Sequence, residues 1–577
     1  MKTLLVAINA KYIHSNLAIH YIKEYSKEHD IETLELSINL EENNVIQQIY
    51  KKNPDIIGFS CYIWNIEYIK NLIKTIKKIL PDVKIILGGP EVSFNSENLL
   101  DELPIDLIMI GEGEFTWKQY LNLVDLKDIP GIIYKMDGQI IQNSTKKIIG
   151  LDELPFVYKN LENFQNKIIY YEASRGCPFS CSYCMSSLEK GVRYLPLDRV
   201  LSELNHFLRH KVTQVKFVDR TFNTNQNFAC EVWKYIIKHD NGITNFHFEI
   251  SAELITKEML YILQSARIGL IQFEIGVQTT NKDTLTAIKR PMAFEKIRKI
   301  VQNLKQLENI HLHLDLIVGL PYEDYHSFRQ SFNDVISLRP DQLQLGFLKV
   351  LKGSQIRHEA QQHGIVYKDN SPYEVLKTNY ISYEEISKLH IICEMVERYY
   401  NSNRFERTLN YLFEVYPTPF FFFEKLAQYW EEKCYLEMNH KKEAYYLLLL
   451  EFLQQNEYVN FELIKELIKF DWLLHENTKM YPQDSNPIKQ ESNPIKQDSN
   501  SIKQDQVSKE LLLDILKNPE IINRMGVAHL TMKQRQRVMR LEYFKYDVTK
   551  ELSLSDKPIS ILFLYQYAQN RARWLKL

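Results

Sequence analysis

The sequence predicts an α/β protein in three parts: an N-terminal doubly wound sheet, a central partial (β/α)6 barrel and a mainly helical C-terminal domain. Three observations carry this. Over residues 1–150, short continuous apolar runs alternate with segments of helical spacing, the pattern of a parallel sheet covered on both faces. Six further strand–helix units follow between 167 and 369, joined to the first part by a linker over 151–166. From 370 to 577 the chain is rich in aromatic residues at helical spacing. A length of 577 residues is itself too great for one domain.

In the first part, strands are expected over 3–8, 31–36, 56–60, 84–87 and 107–110, with helices over 17–28, 45–52 and 66–80. Pro54 stops the second helix, since it can neither donate to nor continue it. Two glycine-bearing turns, Gly88-Gly89-Pro90-Glu91 and Gly111-Glu112-Gly113-Glu114, lie at carboxyl strand ends. Open α/β sheets bind ligands there. The barrel strands are expected over 168–172, 214–218, 245–250, 271–276, 311–318 and 342–348. Helices are expected over 383–400, 409–413, 420–437, 442–453 and 461–475. A seven-residue repeat, Asp-Ser-Asn-Pro-Ile-Lys-Gln from Asp484, has one apolar residue per period and is broken by prolines. It is read as a disordered insertion over 482–507.

Bulk properties bound the function. A net charge of −2 gives no global field for nucleic acid or an anionic membrane. Lys533, Arg535, Arg537 and Arg540 form a small basic cluster, read as a solvated helix face. The apolar runs at 420–423 and 447–450 are far too short to span a bilayer. Seven cysteines in a chain of this length suit a reducing cytoplasm rather than a disulfide framework. The apolar start over 1–10 is read as a first strand, not a signal peptide.

Three of those cysteines, Cys177, Cys181 and Cys184, fall within eight residues as Cys-x3-Cys-x2-Cys, with Tyr183 just before the third. Structural zinc takes four ligands, and a fourth is missing nearby: the next cysteine is Cys230. Three thiolates fit three corners of a [4Fe–4S] cubane and leave one iron open, whereas an electron carrier closes its shell with four. Polar residues also stand at or just after the later strand ends: Phe217-Val218-Asp219, Glu249, Gln278 with Arg290 twelve residues on, and Asp315.

The cysteine array resembles the radical S-adenosylmethionine (SAM) signature, in which SAM chelates the open iron and one electron releases a 5′-deoxyadenosyl radical. The segment from Ile275 to Arg290 resembles the branch containing coproporphyrinogen dehydrogenases and methylthiotransferases. That resemblance implies SAM contacts from Glu249, Gln278, Arg290 and Asp315, backbone contacts from Phe217 and Val218 beside Asp219, and for Tyr183 a place near adenine or a role shielding the cluster. A carboxylate and an amide suit ribose hydroxyls, and an Arg suits a carboxylate. The order strand, Gly-Gly-Pro, strand, Gly-Glu-Gly-Glu is similar to a Rossmann-like cobalamin-binding domain fused ahead of a radical-SAM domain. It implies cobalamin contacts from Asn9, Ser60, Gly88, Gly89, Pro90, Glu91, Gly111, Glu112, Gly113 and Glu114.

One departure matters. The first loop, Asn9 to Asn16, lacks the Asp-x-His-x-x-Gly motif that supplies an axial His, so His14 is read as loop structure and cobalamin as bound without an axial His. The whole pattern is similar to cobalamin-binding radical-SAM proteins with a shared C-terminal tail. It implies methylation of an unactivated carbon, with a reductant such as flavodoxin and an unidentified small-molecule or peptide substrate. Rearrangement or cyclisation is an alternative. tRNA methylthiolation is a rival, but it needs three cluster cysteines in an N-terminal domain that has only Cys61. A cobalamin- or cluster-based sensor is the least supported reading.

Overall fold

The computed structural model describes residues 1–143, 148–188, 191–476, 512–550, 552–565 and 571–577. Two compact units emerge, Met1–Ile386 and Ser387–Leu577. The insertion expected over 482–507 lies outside the described residues.

The first unit begins with a seven-stranded sheet of β1 (Thr3–Asn9), β2 (Ile31–Ser37), β3 (Ile56–Ser60), β4 (Lys84–Gly88), β5 (Leu107–Met109), β6 (Ile132–Met136) and β7 (Gln139–Gln142). Its order is β2-β1-β3-β4-β5-β6-β7. Strand β1 is buried along its whole length because both faces are covered. Leu4, Val6 and Ile8 pack with Ile69, Ile73 and Ile76 of α3 (Ile66–Ile79). Leu5 and Ala7 pack on the opposite face with Ile19 and Ile22 of α1 (Leu17–Tyr25) and with Trp117. Each such aliphatic side chain contributes about 1.5–3 kcal/mol on burial. The sheet is not wholly parallel, as the sequence had implied: β6 pairs antiparallel with β5, and β7 with β6. Asp137 and Gly138 explain the hairpin, since both take positive φ (50° and 78°), as a tight two-residue turn requires.

The barrel sheet contains β8 (Ile169–Tyr171), β11 (Gln214–Phe217), β12 (Asn245–Glu249), β13 (Ile271–Gln278), β14 (Ile310–Val318) and β15 (Gln342–Phe347). Its order is β15-β14-β13-β12-β11-β8, with every neighbouring pair parallel. A short antiparallel hairpin, β9 (Ser174–Gly176) with β10 (Val192–Tyr194), carries the cysteine segment between its arms. Phe217, Phe248 and Phe273 are fully buried; Phe248 and Phe273 lie against Trp233 of α7 (Gln226–Lys238). The strand period of two therefore turns Lys216, His247, Glu249, Glu274, His313 and Asp315 to the other face. After β15, Val350 and Val375 donate to the Tyr373 and Leu348 carbonyls at 2.9 Å. These bonds hold the strand pair β16 (Val366–Tyr367) and β17 (Val375–Lys377) in the first unit, which accordingly runs past 369.

The second unit contains α14 (Glu406–Val415), α15 (Pro419–Glu432), α16 (Ala444–Gln454) and α17 (Phe461–His475). Phe420, Phe422 and Phe423 are all buried, as core residues are. A three-stranded antiparallel sheet follows, β18 (Met539–Tyr546), β19 (Leu554–Leu564) and β20 (Arg573–Lys576), so the region is not purely helical. Phe470 of α17 seals it, with ring centroids 5.5 Å from Phe563 and 5.6 Å from Trp574. The basic cluster is only partly a solvated face. Arg535 donates to the Leu516, Val527 and Ala528 carbonyls, and Arg540 pairs with Glu542 at 2.5 Å. Among the described residues no helix is long and apolar enough to cross a membrane.

Candidate functional site

The cysteine loop leaves β9 through Gly176, whose φ of 105° and approach to the Gly191 carbonyl admit no side chain. The loop is held by backbone bonds: Cys184 N to the Cys181 carbonyl (3.1 Å), Ser182 N to Ile288 O (3.0 Å) and Ile356 N to Ser182 O (2.9 Å). Cys181 is buried, Cys177 and Cys184 are half-buried, and all three are free thiols. Burial pushes the Cys177 thiol up, and its Sγ lies 3.8 Å from Thr221 Oγ1. Among the described residues no three His, Cys, Asp or Glu side chains converge on a single-ion site. A cubane, which gives each thiolate its own iron, suits three free thiols on one loop that do not meet at a point.

Arg290 stands against this loop. Its Nη1 lies 3.5 Å from Cys181 Sγ, its Nη2 donates to the Gly276 carbonyl at 2.5 Å, and its buried Nε has no partner among the described residues. Gln278 folds back beside it. A Cβ at Gly276 would collide with the Gln278 amide and touch Arg290, so the glycine makes room for both. Gln278 takes φ of 71°, and its Oε1 is buried without a partner among the described residues. A non-glycine residue in that region stores strain, a mark of functional positions. Tyr183 lies beside Arg290, Cys181 and Cys184, and burial raises its hydroxyl pKa.

The other expected contacts are placed as follows. Burial pushes Glu249 up to about 7, against the pull of Arg220. Burial also raises Asp315, partly offset by His313, whose Nε2 lies 3.0 Å from Asp315 Oδ1 but is misaligned for a hydrogen bond. The Phe217 side chain faces the helices, and Val218 N donates to the Tyr171 carbonyl at 2.9 Å. Asp219 is engaged with protein: it accepts from Ala173 N (3.0 Å) and Ser174 Oγ (2.5 Å), tying β11 to the segment ahead of Cys177.

Sequence reasoning missed a polar layer on the concave side. Glu274 accepts from Lys216 (3.1 Å) and pairs with His247 (2.8 Å). Burial opposes its charge, but His247 and Lys216 outweigh it and hold Glu274 at about 2. The alternation of Lys216 and His247 with buried apolar neighbours was a legible signal for this layer. Sequence reasoning also missed Glu323, whose buried carboxyl accepts from Thr279 at 2.5 Å and Ser331 at 3.1 Å just behind Gln278. Burial raises it to about 8.

Asp219 yields a pH prediction. Burial lifts it to about 7 despite its two donors, from an ordinary 3.8. The folded state then binds the proton more tightly than the unfolded chain. Its contribution to stability is fully present below pH 3.8 and is lost as pH rises through about 7. The difference in unfolding free energy between wild type and Asp219→Asn should therefore change with a slope approaching about 1.4 kcal/mol per pH unit over that window. Urea titrations at pH 5, 6, 7 and 8 measure it, and parallel curves would remove Asp219 as the titrating group.

In the N-terminal domain the two glycine-bearing turns follow the carboxyl ends of β4 and β5. A Cβ at Gly88 would meet Met109 O at 3.8 Å and Met109 Cβ at 4.0 Å, ordinary van der Waals contacts, so a side chain there would meet no clash. Gly89 differs: with φ of 109°, a Cβ would lie 2.6 Å from the Cys61 carbonyl. Gly111 has φ of 77°, and its N–H donates to Ser93 Oγ at 3.1 Å. Gly113 precedes α5 (Glu114–Leu121), and Pro90 opens a short 3-10 turn. The lack of a side chain at Gly88 suits the close approach of a large flat ligand. The polar side chains nearby are turned elsewhere. Asn9 Nδ2 donates to His14 O (3.0 Å) and Glu35 (3.1 Å), and Ser60 Oγ accepts from Asn16 (3.2 Å). Glu91 pairs with Lys352 at 3.1 Å and with the Tyr373 hydroxyl, both on the barrel side. Glu112 and Glu114 pair with Arg175, and His14 Nδ1 is 2.7 Å from the Tyr170 hydroxyl.

Residues 3–120 match the B12 binding domain family, 171–335 the Radical SAM superfamily, and 361–563 the family described as Protein of unknown function (DUF4080). Over 385 residues the chain is 24% identical to an uncharacterized methyltransferase of Pyrococcus horikoshii, a match covering 63% of this chain and 83% of the relative. It is 26% identical over 318 residues to the cobalamin-dependent radical SAM methyltransferase TokK of Streptomyces tokunonensis, covering 49% of this chain and 45% of TokK, so less than half of that relative's length is spanned. Among solved structures, the cobalamin-dependent S-adenosylmethionine radical enzyme OxsB with aqua-cobalamin bound superposes with a TM-score of 0.58 at 16% identity, covering 82% of this chain and 80% of that one. The chain is therefore a radical SAM protein with an N-terminal B12-binding domain and a C-terminal region of the DUF4080 family.

Proposed function

We propose that this protein is a cobalamin-dependent radical SAM enzyme that methylates an unactivated carbon of a small-molecule or peptide substrate, with a reductant such as flavodoxin. The observation that carries the reading is three free thiols on one loop beside Arg290, in a chain whose residues 3–120 match the B12 binding domain family and 171–335 the Radical SAM superfamily. With a [4Fe–4S] cluster on Cys177, Cys181 and Cys184, SAM and cobalamin bound, the site would supply a 5′-deoxyadenosyl radical and a transferable methyl group. The chain's own residues do the positioning. Arg290, fixed by the Gly276 carbonyl, offers its unpartnered Nε to the SAM carboxylate. Gln278 offers an unpartnered amide oxygen to a ribose hydroxyl, with Glu249 and Asp315 as further acceptors. The backbone of Phe217 and Val218 and the ring of Tyr183 complete the SAM contacts. Asn9, Ser60, Gly88–Glu91 and Gly111–Glu114 would border the corrin through their backbone, since the side chains of Asn9, Ser60, Glu91, Glu112 and Glu114 are held by protein partners. The methylthiotransferase rival loses ground further, because Cys61 is buried in the sheet and its thiol is pushed up by burial.

The test is reductive cleavage. Anaerobically reconstituted protein given dithionite or reduced flavodoxin should convert SAM to 5′-deoxyadenosine, and no product above background would sink the proposal. Arg290→Ala should weaken SAM binding by about 1.5–3 kcal/mol, the cost of a lost charged hydrogen bond. Equilibrium dialysis measures it, and unchanged affinity would remove Arg290 from the site.

A further inference from the structure

Arg175 lies two residues before Cys177, yet its side chain also reaches two carboxylates of the other domain. Its Nη1 lies 3.0 Å from Glu112, in the turn after β5, and its Nη2 3.0 Å from Glu114, the first residue of α5. Its Nε and Nη2 also hold Glu172 at 2.9 and 2.8 Å. Directly opposite in the β9–β10 hairpin stands a second cation, Arg193. Like charges facing each other across a strand pair repel, unless an anion stands between them. Glu112 supplies it, pairing with both guanidiniums, while Arg193 also donates to the Ile149 carbonyl at 2.7 Å. The side chains of Glu112, Glu114 and Arg175 are 13%, 6% and 17% exposed, so salt screens these pairs little. Gly176 alone separates Arg175 from Cys177, and both Arg175 and Gly176 are paired in the β9–β10 ladder, so a shift of Arg175 moves the strand end from which the cysteine loop departs.

We propose that Arg175 is a positioning residue that couples loading of the N-terminal crevice by cobalamin to the geometry of the cluster loop, through Glu112 and Glu114. The inference rests on the cobalamin and SAM reading given above. The turn at Gly111–Glu114 adopts one arrangement when the crevice is filled, and that arrangement fixes the two carboxylates that hold Arg175. Coupling of this kind is reciprocal: each ligand raises the affinity of the other by the same factor.

The experiment uses full-length protein with its cluster reconstituted. Hydroxocobalamin affinity is read from fluorescence quenching with and without saturating SAM, and SAM affinity by dialysis with and without hydroxocobalamin. Wild type should show the same gain in both directions, at least about fivefold. Arg175→Gln should bind each ligand alone but lose the mutual gain, and Arg175→Lys, which keeps the charge, should recover part of it. The electron paramagnetic resonance signal of the reduced cluster should change on adding hydroxocobalamin in wild type and not in Arg175→Gln. Equal coupling in wild type and Arg175→Gln, or wild type that binds both ligands independently, overturns the inference and leaves the proposed function standing. Wild type that takes up no hydroxocobalamin overturns both. Should Arg175→Gln fail to fold, Arg175→Lys carries the same comparison, and full wild-type coupling there together with an unchanged resonance response also overturns it.

Discussion

Replacing Cys177, Cys181 and Cys184 together by alanine is expected to abolish the cluster: iron should fall from about four per chain to background, with loss of the broad visible absorbance. The three thiols share one loop whose backbone is pinned by Ile288 and Ile356, so each single replacement should also lose most of the iron. Cys61→Ala and Cys230→Ala are the controls. Cys61 is buried beneath the N-terminal sheet and Cys230 in α7, and neither belongs to the loop. Iron content and absorbance after anaerobic reconstitution measure the result. A full cluster in the triple variant, or its loss in Cys230→Ala, would refute the three-thiol assignment. SAM cleavage should vanish with the cluster, whereas hydroxocobalamin uptake without SAM should persist, since the N-terminal crevice is built from separate strands.

Much of this architecture is legible in the sequence because its signals are local. Continuous apolar strands such as β1 and β3, and helices such as α3 with its stripe of Ile66, Ile69, Ile73 and Ile76, follow from period alone. The six barrel strands also fall where the apolar runs place them, because each is short and bounded by turn residues. What the sequence hides is pairing. Asp137-Gly138 is a hairpin signal, but its flanking strands are short and β7 is half polar, so the antiparallel edge went unread. The β18–β20 sheet mixes charged and aromatic residues without clean alternation, and only packing on Phe470 makes it a layer. Side-chain partners are hidden for the same reason. Nothing in Gly-Glu-Gly-Glu announces that both carboxylates turn toward Arg175, more than sixty residues on, or that Glu91 meets Lys352 and Tyr373.

Gly88→Val is expected to abolish hydroxocobalamin binding while leaving the protein folded. The two adjacent glycines separate these effects. At Gly89 a side chain would meet the Cys61 backbone at 2.6 Å in a conformation that L residues rarely adopt, so Gly89→Ala should lower stability whether or not a ligand binds. At Gly88 φ lies outside the left-handed region, and a Cβ would meet Met109 O at 3.8 Å, an ordinary van der Waals contact. A valine there would spend its volume on the crevice rather than on the fold. His14→Ala, by contrast, should leave binding nearly intact. The His14 ring nitrogen is already within 2.7 Å of the Tyr170 hydroxyl, and among the described residues no carboxylate hydrogen-bonds it. Spectra of hydroxocobalamin-loaded protein and quenching titrations of the three variants decide the matter, with thermal unfolding as the check on folding. A nitrogen-ligated spectrum that disappears in His14→Ala would overturn the assignment of an axial place without His. Wild-type affinity in a folded Gly88→Val would move the corrin away from the β4 turn, and with it the expectation that cobalamin faces the cysteine loop.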